Sequence, residues 1–475
     1  MKNKHRLIYL GSGLVAVLLL IIIVSCSMGA TPESLADADV LYENAVAAVT
    51  NASNLSLNIT QQKEITVGNE TFNETSTQTV TYEGLDSEHL QVAMEETLQA
   101  GSHTVTITEL YADGVGFFTV EEGRFTFSAN RDEYLARYTP AVLLDTSLYS
   151  SITGTRAKGI ACITFAQPSG FEPWLDIENA ELISAVGTAY IDKAGQLTES
   201  RYELTYTQGN AYIRQSITVE PVDALHSPIQ IPEDTSAYTP ISDPNILRLL
   251  EIACGHLLEA TSVTSTYTDT ILCHAFGDQR SQSIVINAVS ADQLDAQVDT
   301  SVSLSNSGKL GSASTVSKTE RFSNGIYTVV VNDGEETAKS DIDAAAMHSY
   351  CQDILVGTMA LPQYITGASV TETEDTYQIR FTASEDFGQL LQKEACLTLY
   401  QDADILSKQA QSYRTDSVLC YLTLHKSTYL PVASGFHYVG IYTIDALPYP
   451  LEFRADQQYR LLDDHTTANT EAGAE

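Results

Sequence analysis

Polar and apolar residues alternate with period two over long stretches of this chain, and the alternation is broken by the same turns in its two halves. "STQTVTYEG" and "TVTITELY" read as strands with one wet and one buried face. "ITELYADGVGFFTVEEGRF" aligns without a gap on "KTERFSNGIYTVVVNDGEE". Glu109 then meets Glu320, Gly114 meets Gly325 and Gly123 meets Gly334, each pair 211 residues apart. Asp-Gly and Asn-Gly supply the positive φ of tight hairpins, so Gly114, Gly325, Gly123 and Gly334 are assigned as turn glycines.

Helical spacing flanks these strands. Ile246, Leu250, Ala253 and Leu257 form an apolar stripe in the second half, and Leu41, Ala45, Ala48 and Ala52 a weaker one in the first. Pro32 and Pro244 have the position of first-turn prolines behind the cap residues Thr31 and Asp243. Ile342, Ala346, Tyr350 and Ile354 predict a later helix; Tyr134, Tyr138 and Val142 predict its counterpart, kinked or ended by Pro140. The expected class is α+β: two tandem copies of a curved antiparallel sheet, a half-barrel, packed on helices. The copies are placed at 36–225 and 244–462, with a proline-rich linker at 226–243 and a disordered tail at 463–475.

The N-terminus assigns a compartment. Lys2, Lys4 and Arg6 precede an uncharged run from Leu7 to Val24, which ends in Ile23-Val24-Ser25-Cys26. This ending resembles the bacterial lipobox, in which the cysteine thiol is lipidated and the preceding bond is cut. Residues 1–25 are then a lipoprotein signal peptide cleaved between Ser25 and Cys26, and 26–35 a tether. The expected location is the outer face of the bacterial cell membrane, with Cys26 as anchor.

Charge narrows the partners. The sequence has 475 residues with 25 Lys+Arg against 61 Asp+Glu; without the signal the balance is 22 against 61, a net of −39. A surface of that sign repels nucleic acid, so no nucleic-acid partner is expected. Apart from Cys26, the cysteines match no CxxC or zinc spacing and several lie in apolar runs, which favours buried thiols.

The order of elements, the paired turns and the lipobox together resemble the lipoprotein-carrier superfamily of LolA and LppX. That resemblance implies an incomplete barrel around helices, enclosing an apolar cavity for acyl chains. Alanine-rich packing points to the first half for such a cavity, against the helix containing Leu41, Ala45 and Ala48. The chain contains no GxSxG, HExxH, GxxxxGK[ST] or GxGxxG pattern, and its histidines are dispersed. The expectation is a non-enzymatic protein without metal or cofactor that binds or delivers an apolar or amphiphilic ligand. The alternative is an envelope scaffold, or the ectodomain partner of a membrane complex, with no cavity. Trp174, in "SGFEPWLDI", suits either a packing anchor or the lip of a groove.

Overall fold

Threonine, valine and isoleucine in uninterrupted alternation make long strands, and these dominate the chain. The computed structural model describes residues 33–138, 149–168, 180–222, 228–260, 262–273, 278–289, 295–305, 314–323, 325–332, 334–340, 343–359, 361–391, 412–444 and 447–461. The lipobox residues Ser25 and Cys26, together with Pro32, Pro140, Val142, Trp174 and the tail 463–475, lie outside the described residues.

The first half begins with β1 (Glu33–Leu35) and α1 (Ala38–Thr50). Six strands follow: β2 (Asn54–Val67), β3 (Glu70–Glu83), β4 (Gln91–Ala100), β5 (His103–Ala112), β6 (Val115–Val120) and β7 (Gly123–Ser128). After α2 (Arg131–Tyr138) come β8 (Tyr149–Ala157), β9 (Ile160–Pro168), β10 (Ala180–Ile191), β11 (Leu197–Gln208) and β12 (Ala211–Val222). Past a short β13 (Thr239–Pro240), the second half opens with α3 (Asn245–Glu259). Its strands are β14 (Ser262–Cys273), β15 (Asp278–Val289), β16 (Asp295–Ser305), β17 (Ser314–Ser323), β18 (Ile326–Val331) and β19 (Thr337–Ser340). Then come α4 (Ala344–Val356), β20 (Ile365–Glu372), β21 (Thr376–Ala383), β22 (Ser412–His425), β23 (Pro431–Ile444) and β24 (Leu447–Leu461).

The first sheet has 13 strands in the order β1-β8-β9-β10-β11-β12-β2-β3-β4-β5-β6-β7-β13. The second has 11, in the order β19-β18-β17-β16-β15-β14-β24-β23-β22-β21-β20. Without β1 and β13 the two orders are the same: in each half the last strand pairs with the first, β12 on β2 and β24 on β14. Strands so outweigh helices that the expected α+β class is corrected to a predominantly β architecture. The helices are few and short and are set on the sheets, because few segments sustain a period of 3.6 while most sustain a period of two.

Local expectations meet the structure in detail. Gly114 (φ 88°) and Gly325 (φ 74°) have positive φ, and Asp113 (φ 48°) makes the first turn left-handed at both central residues. At the second turn the left-handed residues are Glu121 (φ 50°) and Asn332 (φ 52°), again 211 apart, rather than Gly123 and Gly334. Gly123 instead opens β7, where an added Cβ would lie 2.7 Å from the Phe125 ring. Asp243 caps α3 by accepting the Asn245 N–H at 2.9 Å. The first-half helix starts at Ala38, well past Pro32, because residues 33–35 of the expected tether pair with β8. Part of the expected linker is likewise a strand: Thr239 and Pro240 pair in parallel with Phe125 and Thr126 of β7.

Two helical stripes are rotated from their expected faces. On α1 the buried positions are Ala38, Tyr42 and Ala45, while Leu41 is half-buried and Ala48 exposed. On α4 they are Cys351 and Leu355, with Ala346 and Tyr350 exposed. The stripe on α3 is buried as read: Ile246, Leu250, Ala253 and Leu257 are all 3% exposed or less.

Candidate functional site

Helix α3 is where the two halves meet. A surface helix needs one apolar face, but α3 has no exposed residue: Leu247, Glu251, Ile252, Gly255 and His256 are buried in addition to the stripe. One side packs on β20 and β23 of its own sheet and the other on β3, β4 and β5 of the first sheet. Close approach is possible because position 255 is glycine; a Cβ there would lie 2.3 Å from that of Ala100. Buried residues of both halves, from Ala38 to Ala455, consequently form one apolar cluster.

A set of buried charges lines this seam. Even-numbered residues of β3 and β4 point inward, which brings Glu74 and Glu96 under α3, and Glu109 of β5 joins them. Glu96 is 3% exposed and Glu109 fully buried. Arg248, one turn into α3, reaches both: Nε donates to Glu96 Oε2 at 2.9 Å and Nη2 to Glu109 Oε2 at 3.4 Å. Its guanidinium also lies 5.0 Å from the centre of the Phe118 ring. Ser76 and the Gln78 amide donate to Glu96 Oε1 at 2.6 and 3.1 Å. Burial works to raise the Glu96 pKa, but Arg248 and these donors outweigh it and hold the carboxyl below its usual value.

Glu74 is set between Lys63 of β2, at 3.8 Å, and His256 of α3, whose Nε2 is 3.0 Å away. The His256 ring is close enough to pair as a charge but is not aligned for a hydrogen bond. Burial again pushes the Glu74 pKa up, and Lys63 with His256 brings it below the ordinary value. Toward the end of the helix His103 Nε2 lies 2.7 Å from Glu251 Oε2; this hydrogen bond, against the opposing effect of burial, raises the His103 pKa. Asn73 donates from its backbone N–H and its side-chain amide to the Glu259 carboxylate, at 3.0 and 3.1 Å. A second tie comes from the β22–β23 turn. There Tyr429 lies over the Lys63 ammonium at 4.4 Å, and Leu430 packs with Ile65, Phe72 and Ile213 of the first sheet.

This arrangement is a lock. Its buried carboxylates meet Arg248 from α3 and Lys63 and His103 from the strands, and apolar packing surrounds them. Of its charged members, Glu109 is legible in the sequence only as a repeat marker and Glu96 only as half of the acidic pair Glu95-Glu96. The available signal was the polar set Arg248, Glu251 and His256 interrupting an otherwise apolar helix.

The position expected for a cavity holds a buried tyrosine. Tyr42 enters the space between α1 and the sheet, its ring 4.5 Å from that of Phe165 and its hydroxyl 3.5 Å from that of Tyr202. Two clefts lie elsewhere and are polar. One, of about 270 Å³, lies at the seam between Glu122–Phe125, Ala237, Thr239, Pro362, Gln363 and Ile365; another, of about 620 Å³, opens between Asp86–Glu88 and Asn130–Asp132. In the second half Gln457 and Tyr459 donate to the Ile354 and Leu355 carbonyls at the end of α4, at 3.0 and 2.9 Å. Cys162, Cys254, Cys351 and Cys420 are free thiols, and burial pushes Cys351 up to about 11 and Cys420 to about 12. Among the described residues no cluster of three or more His, Cys, Asp or Glu is arranged to hold a metal ion. No described helix is long and apolar enough to cross a membrane.

No family model matches the chain, and no curated protein matches it. Among solved structures it is similar to LprF from Mycobacterium bovis, at 9% identity and a TM-score of 0.24 over 46% of this chain and 92% of that one. It is also similar to CghA with Sch210972 (8% identity, TM-score 0.13, 86% and 90% covered) and to OccK5 from Pseudomonas aeruginosa (5%, 0.09, 86% and 98%). Likenesses at these TM-scores carry no argument about function.

Proposed function

We propose that this chain is a non-enzymatic lipoprotein, anchored through Cys26 at the outer face of the bacterial cell membrane, that acts as a rigid envelope scaffold. The observation that carries this reading is α3, which is buried between the two sheets and tied to the first by Arg248, His256, Glu251 and Glu259. A carrier needs a space that opens for acyl chains, whereas this helix makes the halves one body and Tyr42 occupies the expected opening. The lipobox ending at Cys26 supports the anchor. A second reading, holding an apolar or amphiphilic ligand, is supported by the strand order common to both halves, with a helix leading each sheet, as the carrier resemblance implies.

Native mass spectrometry of protein extracted in mild detergent separates the two. The scaffold reading expects the lipidated chain alone; a stoichiometric, non-covalent lipid would establish the carrier instead. The anchor is tested separately. Cys26→Ala should accumulate as unlipidated precursor, and processing of that variant at the same bond would remove the lipobox assignment.

A further inference from the structure

The halves share more than strand order, and the equivalence leaves one position unfilled. A separation of 208 residues sets Leu57, paired with Val80, on Ser265, paired with Ile286, and keeps the buried faces of β2 and β14 in step. Carried into the preceding helices, the same separation aligns Ala38, Tyr42 and Ala45 of α1 with Ile246, Leu250 and Ala253 of α3, all buried. The residues with which α3 meets the first sheet are Arg248, Glu251, Ile252, Gly255, His256 and Glu259. Their counterparts on α1 are Val40, Glu43, Asn44, Ala47, Ala48 and Asn51, and every one is exposed.

The receiving surface shows the reverse relation. Glu109 pairs with Phe118 as Glu320 pairs with Val329, which fixes the correspondence of β5 and β6 with β17 and β18. Under α3, Val105, Ile107, Phe118 and Val120 are 2% exposed or less. Their counterparts in the second sheet are Val316 (41% exposed), Lys318 (side chain 40%), half-buried Val329 and Val331 (45%). The first half thus has a helix on this face; in the second half α4 covers the end near Phe322, and among the described residues the end formed by Val316, Lys318 and Val331 is left exposed.

We propose that α1 of one copy of this chain docks on the inner face of β17 and β18 of a second copy, head to tail, as α3 docks on β3–β5 within the chain. Three features favour this occupant. The helix is the topological counterpart of the one already seated in the first half. Alanine at 47 and 48 permits the close approach that Gly255 gives α3. Charge is also complementary: where the first sheet presents Ile107, the second presents Lys318, which pairs with Glu320, with Lys339 exposed on the neighbouring strand, and the exposed face of α1 carries Glu43. Glu320, the counterpart of Glu109, needs no arginine from a helix, because Lys318 lies 2.8 Å away and the Tyr327 and Tyr350 hydroxyls donate to it. Such a contact uses two different patches, so repetition generates chains or rings rather than a symmetric dimer. It does not depend on whether the halves hold a ligand.

Disulfide trapping on full-length lipidated protein in phosphatidylcholine vesicles tests the proposal. Copies carrying Val40→Cys are mixed with copies carrying Val331→Cys under mild oxidation. A mixed dimer is expected well above the background set by wild type and by pairing either variant with Gln230→Cys. Val40→Lys lies at an exposed position, sets a like charge against Lys318 and Lys339, and should leave the unfolding transition unchanged. It should lower trapping through a second pair, Ala47→Cys with Val316→Cys, by about tenfold. Equal trapping in all pairings, or dimers of Val40→Cys with itself, overturns the proposal. So does a photo-crosslinker at position 331 that captures a different protein in cells.

Discussion

Helices α1 and α3 occupy the same place in their halves, and the difference between them shows how a repeat becomes a single body. Both lay one face on the sheet that follows them, through Tyr42 and Ala45 in the first and Leu250 and Ala253 in the second. On the opposite face α1 carries Val40, Glu43 and Ala47, and it stays wet. At the same positions α3 carries Arg248, Glu251 and Gly255, and that face is sealed against the first sheet. Burying a charged face costs desolvation unless every charge finds a partner. Here the partners are Glu96, Glu109 and His103, all supplied by strands more than a hundred residues away. The second interface therefore rests on a few polar residues whose counterparts in α1 are small or uncharged, Glu43 excepted.

The largest effect that would break this contrast is at Arg248. Arg248→Met leaves Glu96 and Glu109 buried without their cation and should cost about 3–5 kcal/mol. Urea denaturation should show this loss, show nearly none for Val40→Met, and recover much of it when Glu96→Gln and Glu109→Gln are added. If Arg248→Met is as stable as wild type, the seam is not held by its charges. The shared face makes the complementary case: Tyr42→Ala and Leu250→Ala should each cost about 2–5 kcal/mol, since both delete a buried side chain against a sheet. A large inequality between them would mean the two helices do not pack alike.

Gly255→Ala should cost about 1–3 kcal/mol through its clash with Ala100, whereas Ala47→Val on the open face should change stability by about 0.5 kcal/mol or less. Thermal melts of the two variants side by side give the comparison directly.

Acidity supplies the gentlest probe. Glu74 and Glu96 have depressed pKa values in the fold, so their contribution is present above the ordinary carboxylate value of 4.5 and is lost as pH falls through the depressed values. His103 has a raised pKa, so its contribution is complete below 6.5 and fades as pH rises through the raised value. Hydrogen exchange of α3 amides, corrected for intrinsic rates, should show greatest protection between those limits. Glu74→Gln should blunt the acid limb, and an unaltered limb in that variant would assign the acid sensitivity to other carboxylates.

Alternation and turn chemistry determined the repeat from sequence alone. Period-two patterning is local, and Asp113-Gly114 imposes a left-handed turn whatever surrounds it. Gly325, with φ 74°, meets the same demand in the second half. The buried stripe of α3 was equally legible, because four large or small apolar residues at helical spacing have one way to leave water. The faces of α1 and α4 were not. Alanine is indifferent to burial: Ala45 is buried as expected, but Tyr42 takes the place expected for Leu41 and Ala48 because Phe165 and Tyr202 form a place for its ring. The α+β class failed for a related reason: short helical signals stand out in a sequence, while the length and number of strands appear only once their ladders are joined. The site belongs entirely to tertiary structure. Arg248, Glu96 and Glu109 look like scattered surface charge in a chain of net charge −36, and only the docking of α3 across the first sheet brings them within hydrogen-bonding distance. A charge's partner is set by where the chain returns in space, and residue pattern along the chain has no access to that distance.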